Sequence, residues 1–155
     1  MTHPNLTRWL GLLLLLSTFT AQAVDEVFST EDGALRGYDV VAYHTEHKPV
    51  LGSAAITHPW NGVTWRFANE ANRDRFAADP QRYAPQYGGY CAYGTSRGYK
   101  VSTQPEAFAI VDGKLYLNYN TEVQKTWNQD QPTFIQQANQ VWQTLEDQPY
   151  EKEAK

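Results

Sequence analysis

Two short stretches constrain this chain more than any other feature. Ile56-Thr57-His58-Pro59-Trp60 and Val63-Thr64-Trp65-Arg66-Phe67 flank Asn61-Gly62, and Ala107–Val111 and Lys114–Tyr119 flank Asp112-Gly113. A two-residue Asn-Gly or Asp-Gly link accepts positive φ at both positions, which matches the twist of an antiparallel pair. Two β-hairpins follow. In the first, Val63, Trp65 and Phe67 share one face, because side chains alternate along a strand.

The rest of the chain reads as helices and loops around these hairpins. Tyr38-Asp39-Val40-Val41-Ala42-Tyr43 is an apolar stretch rich in strand formers. Residues 45–55, with Pro49 and Gly52, read as a loop. Asn69 to Ala78 lacks strand formers and predicts a helix that meets the core through Phe76 and Ala77 and ends at Asp79-Pro80. Thr121 can cap a helix running to Trp127. After Pro132, Phe134, Ile135, Ala138, Val141, Trp142 and Leu145 recur at three- and four-residue spacing, the signature of a helix with one apolar face. The expectation is a small single α+β domain, antiparallel hairpins packed with about three helices. It occupies residues 38–145, after a polar lead-in over 24–37 and before a charged tail over 146–155.

The first 23 residues, MTHPNLTRWLGLLLLLSTFTAQA, place Arg8 before an apolar run and end on Ala21-Gln22-Ala23. That is the pattern of a cleaved secretory signal peptide, so the mature chain is expected to be periplasmic or secreted, with no membrane attachment after cleavage. Removing residues 1–23 from 155 leaves 132 and takes Arg8 away. Twelve Lys and Arg then face 17 Asp and Glu, a net charge of −5. A mildly acidic chain without a basic run is a poor nucleic-acid binder.

Cys91 is the only cysteine. The exported compartment permits disulfides, but one thiol cannot close one within the chain. The core must therefore carry the fold. Exposed thiols oxidise outside the cytosol, so Cys91 is buried, paired with another chain, or kept for chemistry. Gly88 and Gly89 can take positive φ or let backbones approach, which would bring Cys91 inside.

The mature histidines are His44, His47 and His58; with Cys91 they supply every soft or borderline metal donor. His44 and His47 chelate jointly only if the chain turns, since residues three apart on a strand face opposite ways. The other reading is three surface histidines and a buried thiol. No G-x-S-x-G, phosphate-binding glycine loop or paired-cysteine motif occurs, and no catalytic residue is assigned. Tyr83, Tyr87, Tyr90, Tyr93 and Tyr99 cluster around Cys91. They either pack with satisfied hydroxyls or line a pocket for a flat or cationic ligand.

Tyr38–Tyr43, the run Trp65-Arg66-Phe67 with Phe76-Ala77-Ala78-Asp79-Pro80-Gln81-Arg82-Tyr83, and Tyr87-Gly88-Gly89-Tyr90-Cys91-Ala92 resemble the YHS domain. Leu115–Tyr119 extends the likeness to small exported YHS-domain proteins of bacteria, over about residues 34–145. The resemblance implies binding of a transition metal, copper above all, in carriage, sensing or protection. Metal-binding members of the family carry Asp-Pro-Val-Cys-Gly-Met and a later pair of cysteines. In this chain the first cysteine falls at Ala42, the methionine at His44, and the paired cysteines at Ala68 and Asn72. What the frame retains is Asp39, His44 and Cys91, with His47 and His58 as further candidates. The alternative expectation is a non-catalytic module that binds a small molecule or a periplasmic protein through Tyr87, Gly88, Gly89, Tyr90 and Tyr93.

Overall fold

The computed structural model describes residues 25–150; the expected leader over residues 1–23 and the last five residues of the charged tail lie outside them. In chain order the elements are β1 (Ser29–Thr30), β2 (Gly33–Ala34), a 3-10 turn (Leu35–Gly37), α1 (Val40–Thr45), β3 (Ser53–Trp60), β4 (Val63–Phe67), α2 (Glu70–Ala78) and α3 (Pro80–Tyr83). A second 3-10 turn (Gln86–Gly89), α4 (Ala92–Ser96), β5 (Phe108–Val111), β6 (Lys114–Leu117), α5 (Thr121–Trp127) and α6 (Gln131–Glu146) complete the chain. This is a small α+β domain of two-stranded antiparallel sheets and short helices.

Both expected hairpins form. Asn61 and Gly62 turn with φ of 49° and 76°, and Asp112 and Gly113 with 50° and 74°. Trp60 pairs with Val63, His58 with Trp65, and Val111 with Lys114. Strand β3 starts earlier than the sequence suggests, taking in Ser53 to Ala55, with an irregular register between Ser53 and Thr57.

The stretch from Tyr38 to Tyr43 corrects the sequence reading, because from Val40 it is helical. Asp39 caps it, and its Oδ1 accepts the N–H groups of Val41 (2.9 Å) and Ala42 (3.3 Å). Val40, Val41, Ala42 and Tyr43 are all fully buried. A side-chain cap and burial on every side outweigh the modest strand preference of valine and tyrosine. The later helices also begin at side chains that sequence spacing does not single out. Asn120, rather than Thr121, caps α5 through Val123 N–H (2.8 Å), and Asp130 caps α6, which takes Pro132 into its first turn.

The main core gathers Val40, Val41, Tyr43, Trp65, Phe67 and Phe76 with Leu115 and Leu117. Val27, Phe28, Ala34 and Leu35, from the polar lead-in, join the same cluster. A second cluster holds Tyr87, Ala92, Tyr116, Trp127 and Ala138, and Trp142 of α6 packs against both. Within the tail, Tyr150 packs its ring on Phe28 (6.2 Å) and Tyr90 (5.3 Å).

Candidate functional site

The glycine-tyrosine segment is built by three successive left-handed residues, Tyr87, Gly88 and Gly89, with φ of 55°, 60° and 84°. Glycine is required at the second and third. A side chain on Gly88 would collide with the Glu26 carbonyl, and one on Gly89 with Leu35. The close approach lets the Gly88 carbonyl accept the Phe28 N–H at 2.9 Å, which fastens the lead-in to the turn. Beyond the turn, Cys91 is 1 % exposed, as the glycines suggest.

The Cys91 thiol is held by its own turn and by the residues that follow β6. Sγ accepts the N–H of Gly94 (3.4 Å) and of Tyr119 (3.3 Å), and the thiol donates to Asn118 Oδ1 (3.6 Å). Burial pushes its pKa up, against the pull of the backbone N–H groups. A protonated, enclosed thiol is a poor nucleophile and a poor metal ligand.

The other metal candidates lie in separate places. Asp39 is fully buried; its Oδ2 accepts Ala68 N–H (2.9 Å) and Asn72 Nδ2–H (2.8 Å), so both oxygens are filled. His44 Nε2 donates to the Tyr83 carbonyl (3.2 Å) and its ring meets Tyr83 edge-on. Burial lowers its pKa, the Tyr83 carbonyl opposes that, and Arg82 and His47 add to it. His47 lies exposed beyond α1 with φ of 53°. His58 sits on β3, its ring 6.1 Å from that of Phe76. Among the described residues no group of three or more His, Cys, Asp or Glu side chains comes together as a possible metal site. As arranged, Asp39, His44, His47, His58 and Cys91 do not form a shared donor set for copper.

The tyrosines of the loop divide between packing and a concave surface. Tyr87 reaches Asn139 Oδ1 (2.9 Å) and the Ile135 carbonyl (3.3 Å), and Tyr90 donates to the Asp25 carbonyl (2.9 Å). Burial holds both phenols protonated well above the usual tyrosine range. Tyr93 stacks edge-on against Phe134 at 5.2 Å, with the Arg97 guanidinium over its ring. On the outer side of the turn, Tyr87 and Gly88 form one wall of a cleft of about 430 Å³. Trp60 and Trp65 of the first hairpin and Trp142 of α6 supply its aromatic lining, and Glu26 and Glu146 its carboxylate residues. Trp65 Nε1–H donates to the Trp60 carbonyl (3.0 Å), which fixes the hairpin end that faces the cleft.

Sequence reasoning finds the glycine-tyrosine wall and misses the others. Trp60 is visible as the apolar residue before Asn-Gly and Trp142 as part of a helical stripe, but nothing local joins them. Lys100 is also missed. Its ammonium donates to the carbonyls of Asp25 (3.0 Å), Glu146 (2.9 Å) and Gln148 (2.7 Å), and lies 5.1 Å from the Tyr90 ring centre and 5.6 Å from that of Trp142. No helix among the described residues is long and apolar enough to cross a membrane. Comparison with protein-family models, curated proteins and solved structures finds no match for this chain.

Proposed function

We propose that this protein is an exported, non-catalytic binding module on a YHS-like frame, and that its ligand is a small molecule held against the glycine-tyrosine turn. The observation that carries the reading is the cleft of about 430 Å³ between Trp60, Tyr87, Gly88 and Trp142. Its volume lies within the usual range of small-ligand sites, roughly 300–1,000 Å³, and its lining is about half polar, with Glu26, Asn61, Gln86, Asn139, Gln143 and Glu146 beside the aromatic rings. The walls are fixed by strained turns and by side-chain hydrogen bonds, so ligand binding orders little that is not already ordered.

Joint copper binding by Asp39, His44 and Cys91 would require the carboxylate to give up four donors and the thiol three partners. That cost favours the cleft. The test is equilibrium dialysis against the small-molecule fraction of a bacterial extract, followed by mass spectrometry. A compound enriched by the protein, retained by Cys91→Ser and lost in Gln143→Trp is the expected result. Gln143 is exposed and lines the cleft, so an indole there fills the mouth without entering the core. Enrichment unchanged in Gln143→Trp, or no enrichment at all, overturns the reading.

A further inference from the structure

The charge and aromatic content of the cleft are one-sided. Its lining includes Glu26 and Glu146 and contains no lysine, arginine or histidine. Asp25 and Asp147 flank those two residues in the chain, and all four carboxylates act on the Lys100 ammonium. Lys100 stands behind Trp142 and is the cation these carboxylates share, so the cleft keeps a net negative surround that disfavours an anion. A cation would meet carboxylates and ring faces, whose π electrons attract positive charge.

Beside the cleft, aromatic rings and carbonyls already hold an ammonium, although burial lowers its pKa. Lys100 rests its charge on Tyr90 and Trp142, with three backbone carbonyls completing the shell. Trp142 also lines the cleft, as does Trp60. We infer that the cleft binds a small organic cation, a quaternary or protonated amine, with its charged head against Trp60 and Trp142 beside Glu26 and Glu146. The inference rests on the reading of the cleft as the binding site and adds the class of ligand. A quaternary ammonium suits the site best, because its alkyl shell buries against indole and gives up little hydration. The volume of about 430 Å³ leaves room for a head group and a short polar tail, and the amides of Asn139 and Gln143 offer the tail hydrogen bonds.

The probe is choline, titrated into the purified protein and followed by tryptophan fluorescence. Its neutral isostere, with carbon in place of the ammonium nitrogen, is titrated alongside. A saturable response to choline is expected, with the isostere weaker by about tenfold. Added salt should weaken choline and leave the isostere unchanged. Trp60→Leu should abolish the response. Glu146→Gln should weaken choline by about three- to tenfold with no effect on the isostere. Glu146 also hydrogen-bonds Lys100 through its backbone carbonyl, which Glu146→Gln keeps, so this variant decides the matter even if Trp60→Leu folds poorly. An isostere that binds as tightly as choline, or no saturable response to choline, overturns the cation. The two failures separate cleanly. A neutral compound enriched in dialysis and lost in Gln143→Trp keeps the cleft and removes the cation, whereas no enrichment and no choline response remove both.

Discussion

Asp39 fills with hydrogen bonds the place that the family resemblance offers to a metal. Four donors from α1, from the residue after β4 and from α2 converge on its two oxygens, and none of its surface reaches water. Each of the four N–H groups needs an acceptor oxygen on this side chain. Replacement by asparagine turns one acceptor into a donor that faces existing donors. Asp39→Asn is expected to lower stability by about 2–4 kcal/mol, the range for a buried network left partly unsatisfied. Urea denaturation followed by tryptophan fluorescence measures it. A loss below about 0.5 kcal/mol would mean that the carboxylate does not hold α1, β4 and α2 together.

At the scale of elements, one side chain joins the lead-in to the last helix. Lys100 bridges the lead-in at Asp25 to the last turn of α6 at Glu146 and to Gln148 beyond it. Cations complement the exposed carbonyls at a helix C-terminus. Lys100→Met keeps the stem and removes the charge. Amide exchange over residues 145–150 should rise by about tenfold with little change in β5 and β6, and mass spectrometry of exchanged peptides reads it. Equal protection in the variant would show that Tyr150 on Phe28 and Tyr90 holds the tail by itself. Elements of this kind were only partly legible. The hairpins at Asn61-Gly62 and Asp112-Gly113 and the stripe of α6 were readable because turn chemistry and periodicity are local. Helix α1 was not, because the groups that hold Asp39 on its far side come from Ala68 and Asn72. The cleft was half readable, since Gly88 announced a close approach while the presence of Trp60 and Trp142 in one lining is a product of tertiary packing.

The whole molecule joins these local effects in its response to pH. His44 has a lowered folded pKa, chiefly from burial, so below its ordinary 6.5 the unfolded chain binds a proton that the folded chain resists. Stability therefore falls as pH drops through that region. On the alkaline side Cys91, Tyr43, Tyr87, Tyr90, Tyr99 and Tyr116 all have raised folded values, each chiefly from burial. In the unfolded chain the thiol ionises near 9.0 and the phenols near 10.0. Protons then leave the unfolded state first, and stability falls as pH rises above about 9 and more steeply above about 10. Lys100 has the opposite sign, since its folded value is lowered by burial and its deprotonation favours the folded state below 10.5. One lysine against one thiol and five phenols leaves the alkaline limb descending. Denaturation midpoints taken from pH 5 to 11 should trace a dome. Cys91→Ala should delay the first part of the alkaline fall towards pH 10, and His44→Gln should flatten the acid limb. An alkaline limb that begins at the same pH in Cys91→Ala and wild type would mean that the thiol is open to water in solution, and that the glycine-tyrosine turn does not close over it.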